Sequence, residues 1–396
     1  MPFVLEKVQH EITREGIDGW LFYDFQGLDP IARRILSIDP HAHLTRRWFY
    51  LIPNQGNPKK LVHKIEPFVL DHVPGETLFY AGWRELEQGL KKMLKELQRV
   101  AMHYSPKNAI PYISRVDGGT LELVKTTGVK IYSAADLIQQ FDAVWTQDQL
   151  KSHIYAAKTL RSIVDQTFGY IAKMVSSNKK ISEFDTQQFI LEQFKAKGLH
   201  GDGAPIVATG PNSGNPHYSP QKDRARIISE GELVLIDIWA KEKKENAVYA
   251  DITWTGFVGK KVPEQIESVF QIVRGARDAA FQKVQSAFDT HQMIKGSELD
   301  DVARSYIQDH GYGDAFIHRT GHNIGVAVHG NGANIDHFET DEQRKLIHGT
   351  CFSIEPGIYL KEFGIRSEID VFIGDDQVHV YGQPIQTSVI PIMNLL

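Results

Sequence analysis

A single cysteine, Cys351, stands among 396 residues. No disulfide can therefore form within the chain, which suits a reducing compartment. Neither sign of charge dominates: 44 Lys and Arg against 49 Asp and Glu leave a net charge of -5. No block of like charge offers the footprint of a nucleic-acid binder. The densest basic stretch, Lys241-Glu242-Lys243-Lys244-Glu245, interleaves both signs and reads as a solvated turn. No apolar run is long enough to span a bilayer, and Met1-Pro2-Phe3-Val4-Leu5-Glu6-Lys7 is charged too early for a secretory leader. The expectation is a cytoplasmic protein without nucleic-acid or membrane partners. What remains, 42% hydrophobic and 23% charged residues, is the composition of a soluble globular protein. Its length exceeds one ordinary core and predicts two domains.

The first part alternates strand and helix. Gly19 to Phe25 and Trp48 to Ile52 are apolar, aromatic runs of strand length, and Val100 to Tyr104 and Val129 to Tyr132 are further strands. Leu86, Leu90, Met93, Leu94 and Leu97 recur at helical spacing. This predicts a small α/β domain over residues 1–145, without a cluster of chemical groups. The second domain, residues 146–396, opens with a long helix over 148–175, its stripe formed by Ile154, Ala157, Leu160, Val164, Phe168, Ile171 and Val175. Ser182 with Asp185, Pro263, and Ser297 with Asp300 mark three more helix starts. Strands are expected at 233–240, 248–258, 351–360 and 364–373.

Four acids interrupt those apolar strands: Asp237, Asp251, Glu355 and Glu368. One such acid is usually an exposed group on the wet face. Four of them, with His322 between Gly321 and Asn323, point instead to a shared site. Two carboxylates ~4 Å apart repel by roughly 4 kcal/mol at an effective dielectric near 20. Four together must bind protons or recruit cations. Two divalent ions would balance the four charges, with His322 as a neutral fifth ligand. Such oxygen-rich ligation suits Mn2+, with Co2+, Fe2+ or Zn2+ also admissible.

Asp237, Asp251-Ile252-Thr253-x-Thr255, His318-x-x-x-His322-x-x-Gly325, Val328-His329, Glu355-Pro356-Gly357 and Gly364-Ile365-Arg366-x-Glu368 resemble the pita-bread metallopeptidases. In particular they resemble the branch of Xaa-Pro aminopeptidases and prolidases. The resemblance implies an α/β (α+β) chain, with a creatinase-like accessory domain followed by a C-terminal pita-bread domain. It implies two divalent ions bridged by Asp251 and Glu368, with Asp237 completing one shell and His322 and Glu355 the other. Glu355 would also act as the base. His217, His329, His318 and Arg366 match active-site positions around the substrate. A peptide with proline in second position and a homodimer are further implications. Read alone, His217 is more often a surface loop residue, and Arg366 is as readily a structural counter-ion as a catalytic group. Trp239, Trp254 and Gly330-Asn331-Gly332 depart from the peptidase pattern, and the segment from Asp237 to Asp251 is three residues longer. The alternatives kept open are Xaa-Pro dipeptidase activity, a lyase on the same fold and, with less support, a binding protein.

Overall fold

The structure, a computed structural model, describes residues 4–39 and 41–396; the first three residues of the N-terminal segment read above lie outside them. Two compact units divide the chain, Met1–Asp142 and Ala143–Leu396. Among the described residues, no helix is long and apolar enough to cross a membrane.

The first unit is built on a six-stranded mixed sheet in the order Glu76–Tyr80, Lys59–His63, Trp48–Pro53, Gly19–Asp24, Arg99–Met102, Lys130–Ser133. The Gly19–Asp24 strand is apolar throughout because both its faces are covered. Trp20 and Phe22 enter one core with Val8 and Ile12, while Leu21 and Tyr23 enter another with Leu86 and Leu90. The strands at 59–63 and 76–80 escape a reading by pattern. The first carries Lys59 and Lys60, and the second is mostly exposed or half-buried, so neither shows the alternation of a half-buried strand.

In the second unit, Leu233–Glu242 and Ala250–Phe257 pair antiparallel, with Asp237 opposite Thr253 and Trp239 opposite Asp251. Strand periodicity divides their residues between two faces. Ile236, Ile238, Ile252 and Trp254 pack against Leu160, Val164 and Phe168 of the helix Gln147–Ser176. Asp237, Trp239, Asp251, Thr253 and Thr255 take the opposite face. A second sheet joins Asn323–Ile324, Cys351–Ile354, Ile369–Ile373 and Val378–Val380. Phe352, Ile354, Ile369 and Val371 share a core with Phe270 and Val273 of helix Glu264–Asp289 and Ile307 of helix Gly296–Asp309.

Three expectations change. The strand expected over 351–360 breaks after Ile354 and resumes as Gly357–Tyr359, because Pro356 has no N–H for a ladder. That over 364–373 breaks at Ser367-Glu368. Glu355 and Glu368 therefore sit in strand interruptions. The helix cap expected at Ser297 lies two residues earlier: the Glu298 carboxylate accepts the Lys295 N–H at 2.7 Å, and the Ser297 N–H is already bonded to the Glu342 carbonyl.

Candidate metal centre

Asp251, His322 and Glu368 are buried, and one ligand atom from each lies within 4.8 Å of the others. His322 Nε2 stands 3.6 Å from Asp251 Oδ2 and 3.3 Å from Glu355 Oε1. Its Nδ1 faces the Asn323 carbonyl at 3.2 Å, a contact that places the proton on Nδ1 and leaves the Nε2 lone pair toward the acids. Burial lowers the His322 pKa to about 3, so the ring is neutral. Gly321 permits this placement, since a Cβ there would come within 2.0 Å of the Ser353 carbonyl oxygen. Glu368 Oε2 accepts the Thr253 hydroxyl at 2.7 Å. Asp251 Oδ1 and Glu368 Oε1 are buried and meet no hydrogen-bond donor among the described residues. Burial raises both carboxyl pKa values well above normal, and repulsion from neighbouring acids adds to it. Paired carboxylate oxygens without donors, beside a neutral imidazole, fit a divalent cation.

Asp237 and Glu355 complete the ring through Arg366. That guanidinium is buried and donates to Asp237 Oδ2, to Thr253 Oγ1 at 3.0 Å and to the Tyr359 hydroxyl at 2.9 Å. It also lies 3.9 Å from Glu355 Oε2. Burial raises the Asp237 pKa, and Arg366 offsets only part of that shift. Glu355 Oε1 accepts the Ser353 hydroxyl at 3.0 Å, while its backbone N–H reaches the Thr320 carbonyl. His318 Nε2 contacts the Tyr359 hydroxyl at 2.7 Å, and burial lowers its pKa to about 4. All five expected ligands, His318 and Arg366 thus form one connected network.

His329 is exposed and stands edge-on to His322, ring centroids 4.4 Å apart. Proximity to His322, with desolvation second, lowers its pKa to about 3. His217 is also exposed, its backbone N–H on the Asn215 side chain, and no described contact joins its ring to the acids. The two tryptophans separate. Trp239 shares the Asp237 face and donates its indole N–H to Asp202 at 2.8 Å. Trp254 turns into the core, with the Arg161 guanidinium 3.6 Å from its ring centre, so it is not a pocket wall. Gly330 and Gly332 have a structural reason: a Cβ at either would come within 2.2 Å or 2.6 Å of the Asn323 side chain. Tyr359 and Asp370 went unnoticed in the sequence. Asp370, two residues beyond Glu368, accepts the Asp251 N–H at 2.8 Å and satisfies the same criterion that singled out the other four acids.

These shifts predict a pH dependence. Asp237, Asp251, Glu368 and Asp370 have raised folded-state pKa values. Their contribution to stability is present at low pH and is lost as pH rises through those values. His153, His318, His322 and His329 are lowered and act oppositely, but above their unfolded value of about 6.5 they add no slope. Chelator-treated protein should therefore lose thermal stability as pH rises above about 6.5, where the histidines add no slope, and Asp251→Asn should flatten that fall. A flat melting temperature for the chelated parent above that pH would contradict the electrostatic picture.

The sequence model of metallopeptidase family M24 matches residues 156–375, more than half of the chain. The provisionally assigned dipeptidase YkvY of Bacillus subtilis is 29% identical over 297 residues, 74% of this chain and 73% of that protein. The Xaa-Pro dipeptidase of Lactobacillus delbrueckii is 34% identical over 175 residues, a match spanning 41% of this chain and 40% of that protein. The crystal structure of prolidase from Thermococcus sibiricus superposes with a TM-score of 0.65 at 26% identity, covering 98% of this chain and 97% of that one. By this match, together with the pita-bread architecture around its acids, the chain belongs to metallopeptidase family M24.

Proposed function

We propose that the protein is a dinuclear metallopeptidase that hydrolyses the bond before proline in peptides with proline in second position, in the manner of Xaa-Pro aminopeptidases. The observation that carries this is the pair of buried, donor-free oxygens on Asp251 and Glu368 beside neutral His322. The names of the similar Xaa-Pro dipeptidase and prolidase support the substrate class. In this reading Asp237, Asp251, His322, Glu355 and Glu368 would hold the two ions. Manganese suits the oxygen-rich donors. A homodimer and a cytoplasmic location belong to the same proposal. Divalent cations bound there would supply Lewis-acid polarisation of a carbonyl and acidification of water.

The chain's own groups do the rest. Glu355, oriented by Ser353, accepts the proton of the attacking water. Arg366 fixes Asp237 and donates to the Tyr359 hydroxyl, which His318 in turn holds. His329, at the exposed edge of the centre, offers its N–H to the scissile carbonyl oxygen, and His217 contributes a substrate-side contact from its loop. Proline lacks an N–H and has a fixed φ, so a flat apolar wall selects it by shape. Trp239, immobilised by Asp202, supplies that wall and discriminates by about 1–3 kcal/mol.

Substituting His329 by alanine is expected to leave bound metal intact and slow turnover by about 10²-fold, the scale of a lost transition-state donor. His322→Ala should lose metal itself. Equal metal loss in both, measured by metal analysis after desalting, would reverse these roles. The substrate is tested by incubating metal-loaded protein with Xaa-Pro peptides of about two to five residues, the matching Xaa-Ala peptides and N-acetylated forms. Cleavage restricted to unblocked Xaa-Pro peptides is expected. Intact Xaa-Pro peptides alongside turnover of a small β-eliminable substrate would establish the lyase alternative instead.

A further inference from the structure

Behind the centre lies a second buried pair. Asp370 is 1% exposed and His153 0% exposed, with 3.9 Å between Asp370 Oδ2 and His153 Nε2. Asp370 Oδ1 and His153 Nε2 have no hydrogen-bond partner among the described residues. A buried acid without a cation in contact is costly, and such a violation of local rules marks a functional position. Each group also grips the entry to the Asp251 strand. His153 Nδ1 meets the Tyr249 carbonyl at 2.8 Å, and its neighbour Ser152 accepts the Val248 N–H at 3.1 Å. Asp370 takes the N–H of Asp251 itself. Asp251 is only the second residue of Ala250–Phe257 and arrives directly from the long loop after Glu242. So near a strand end, the ladder alone holds a ligand loosely.

We propose that Asp370 and His153 are positioning residues for the metal centre. His153 from the helix Gln147–Ser176 and Asp370 from the strand Ile369–Ile373 clamp the backbone from Tyr249 to Asp251, so that the Asp251 carboxylate faces His322 and Glu368. The inference rests on the metal reading above. It is tested by titrating the full-length protein and its variants with Co2+, following the visible absorption of the ion and competition with a chelator. Asp370→Ala should weaken Co2+ binding by about 10–100-fold and alter the spectrum, the scale of lost outer-shell support. Asp370→Asn, whose amide oxygen still accepts the Asp251 N–H, should recover most of the affinity and the parent spectrum. Parent-like binding by Asp370→Ala, or equal loss in both variants, overturns the clamp. If Asp370→Ala does not fold, His153→Phe fills the same space without a donor, whereas His153→Asn still presents an N–H to Tyr249. The Phe variant should bind weakly and the Asn variant well, and indistinguishable affinities overturn the proposal. Absence of Co2+ binding by the parent protein would instead remove the metal reading itself.

Discussion

Asp251→Asn protein is expected to retain no stoichiometric metal and to lose peptidase turnover, yet to resist unfolding better than the metal-free parent. The two effects have one cause. Asp251 is buried beside Glu368 and Asp237, whose charges repel its own, while its Oδ1 meets no donor. Replacing the carboxylate by an isosteric amide removes that repulsion, worth at most about 4 kcal/mol for one pair near 4 Å. It also removes the charge that draws in the cation. Loss of an outer-shell partner costs about 10–100-fold in metal affinity, so loss of a carboxylate that faces the proposed metal site should cost more. Urea unfolding of chelated parent and variant, with metal analysis of both, measures the two sides together. A variant less stable than the chelated parent, or one that still carries metal, contradicts this account.

Arg366→Ala should be among the most destabilising single changes in the second unit. Its guanidinium reaches Asp237, Thr253 and Tyr359 from a position only 3% exposed. Removing it leaves the Asp237 carboxylate buried and unpaired, a loss of about 3–5 kcal/mol. Arg366→Lys restores the charge but not the planar fork that serves three partners at once, so it should recover only part of the stability. Added metal should narrow the deficit, because a cation near Asp237 replaces part of the missing charge. Denaturant midpoints for both variants, with and without manganese, resolve these contributions; a lysine variant as stable as the parent would show that charge alone matters.

The sequence disclosed most where periodicity and burial coincide. Helix Gln147–Ser176 was readable from its stripe, although the stripe begins elsewhere than expected: Ile154 is 37% exposed, and His153 and Ala156 take the buried face. Hydropathy favours isoleucine there, but the His153 ring is held inside by the Tyr249 carbonyl. Asp237 and Asp251 could be placed because each stands within an unbroken apolar run. Glu355 and Glu368 were recognisable as acids of interest, but not as occupants of strand breaks. Those breaks follow from Pro356 and from the bonds that Thr253 and Thr255 make across to Glu368 and Arg366. Such bonds join residues more than 100 positions apart, which no local pattern encodes. Asp370 also interrupts an apolar run, in Ile369-Asp370-Val371-Phe372, and only its bond to the Asp251 N–H distinguishes it from an ordinary wet-face acid. The pairing of Trp239 with Asp202 and the turn of Trp254 into the core likewise depend on tertiary packing.

Metal analysis tests the centre most directly. Protein saturated with manganese and then desalted should retain two ions per chain, and the Asp251→Asn protein should retain none. Only trace metal on the parent protein would contradict the metal centre altogether, and a single ion per chain would contradict its dinuclear form.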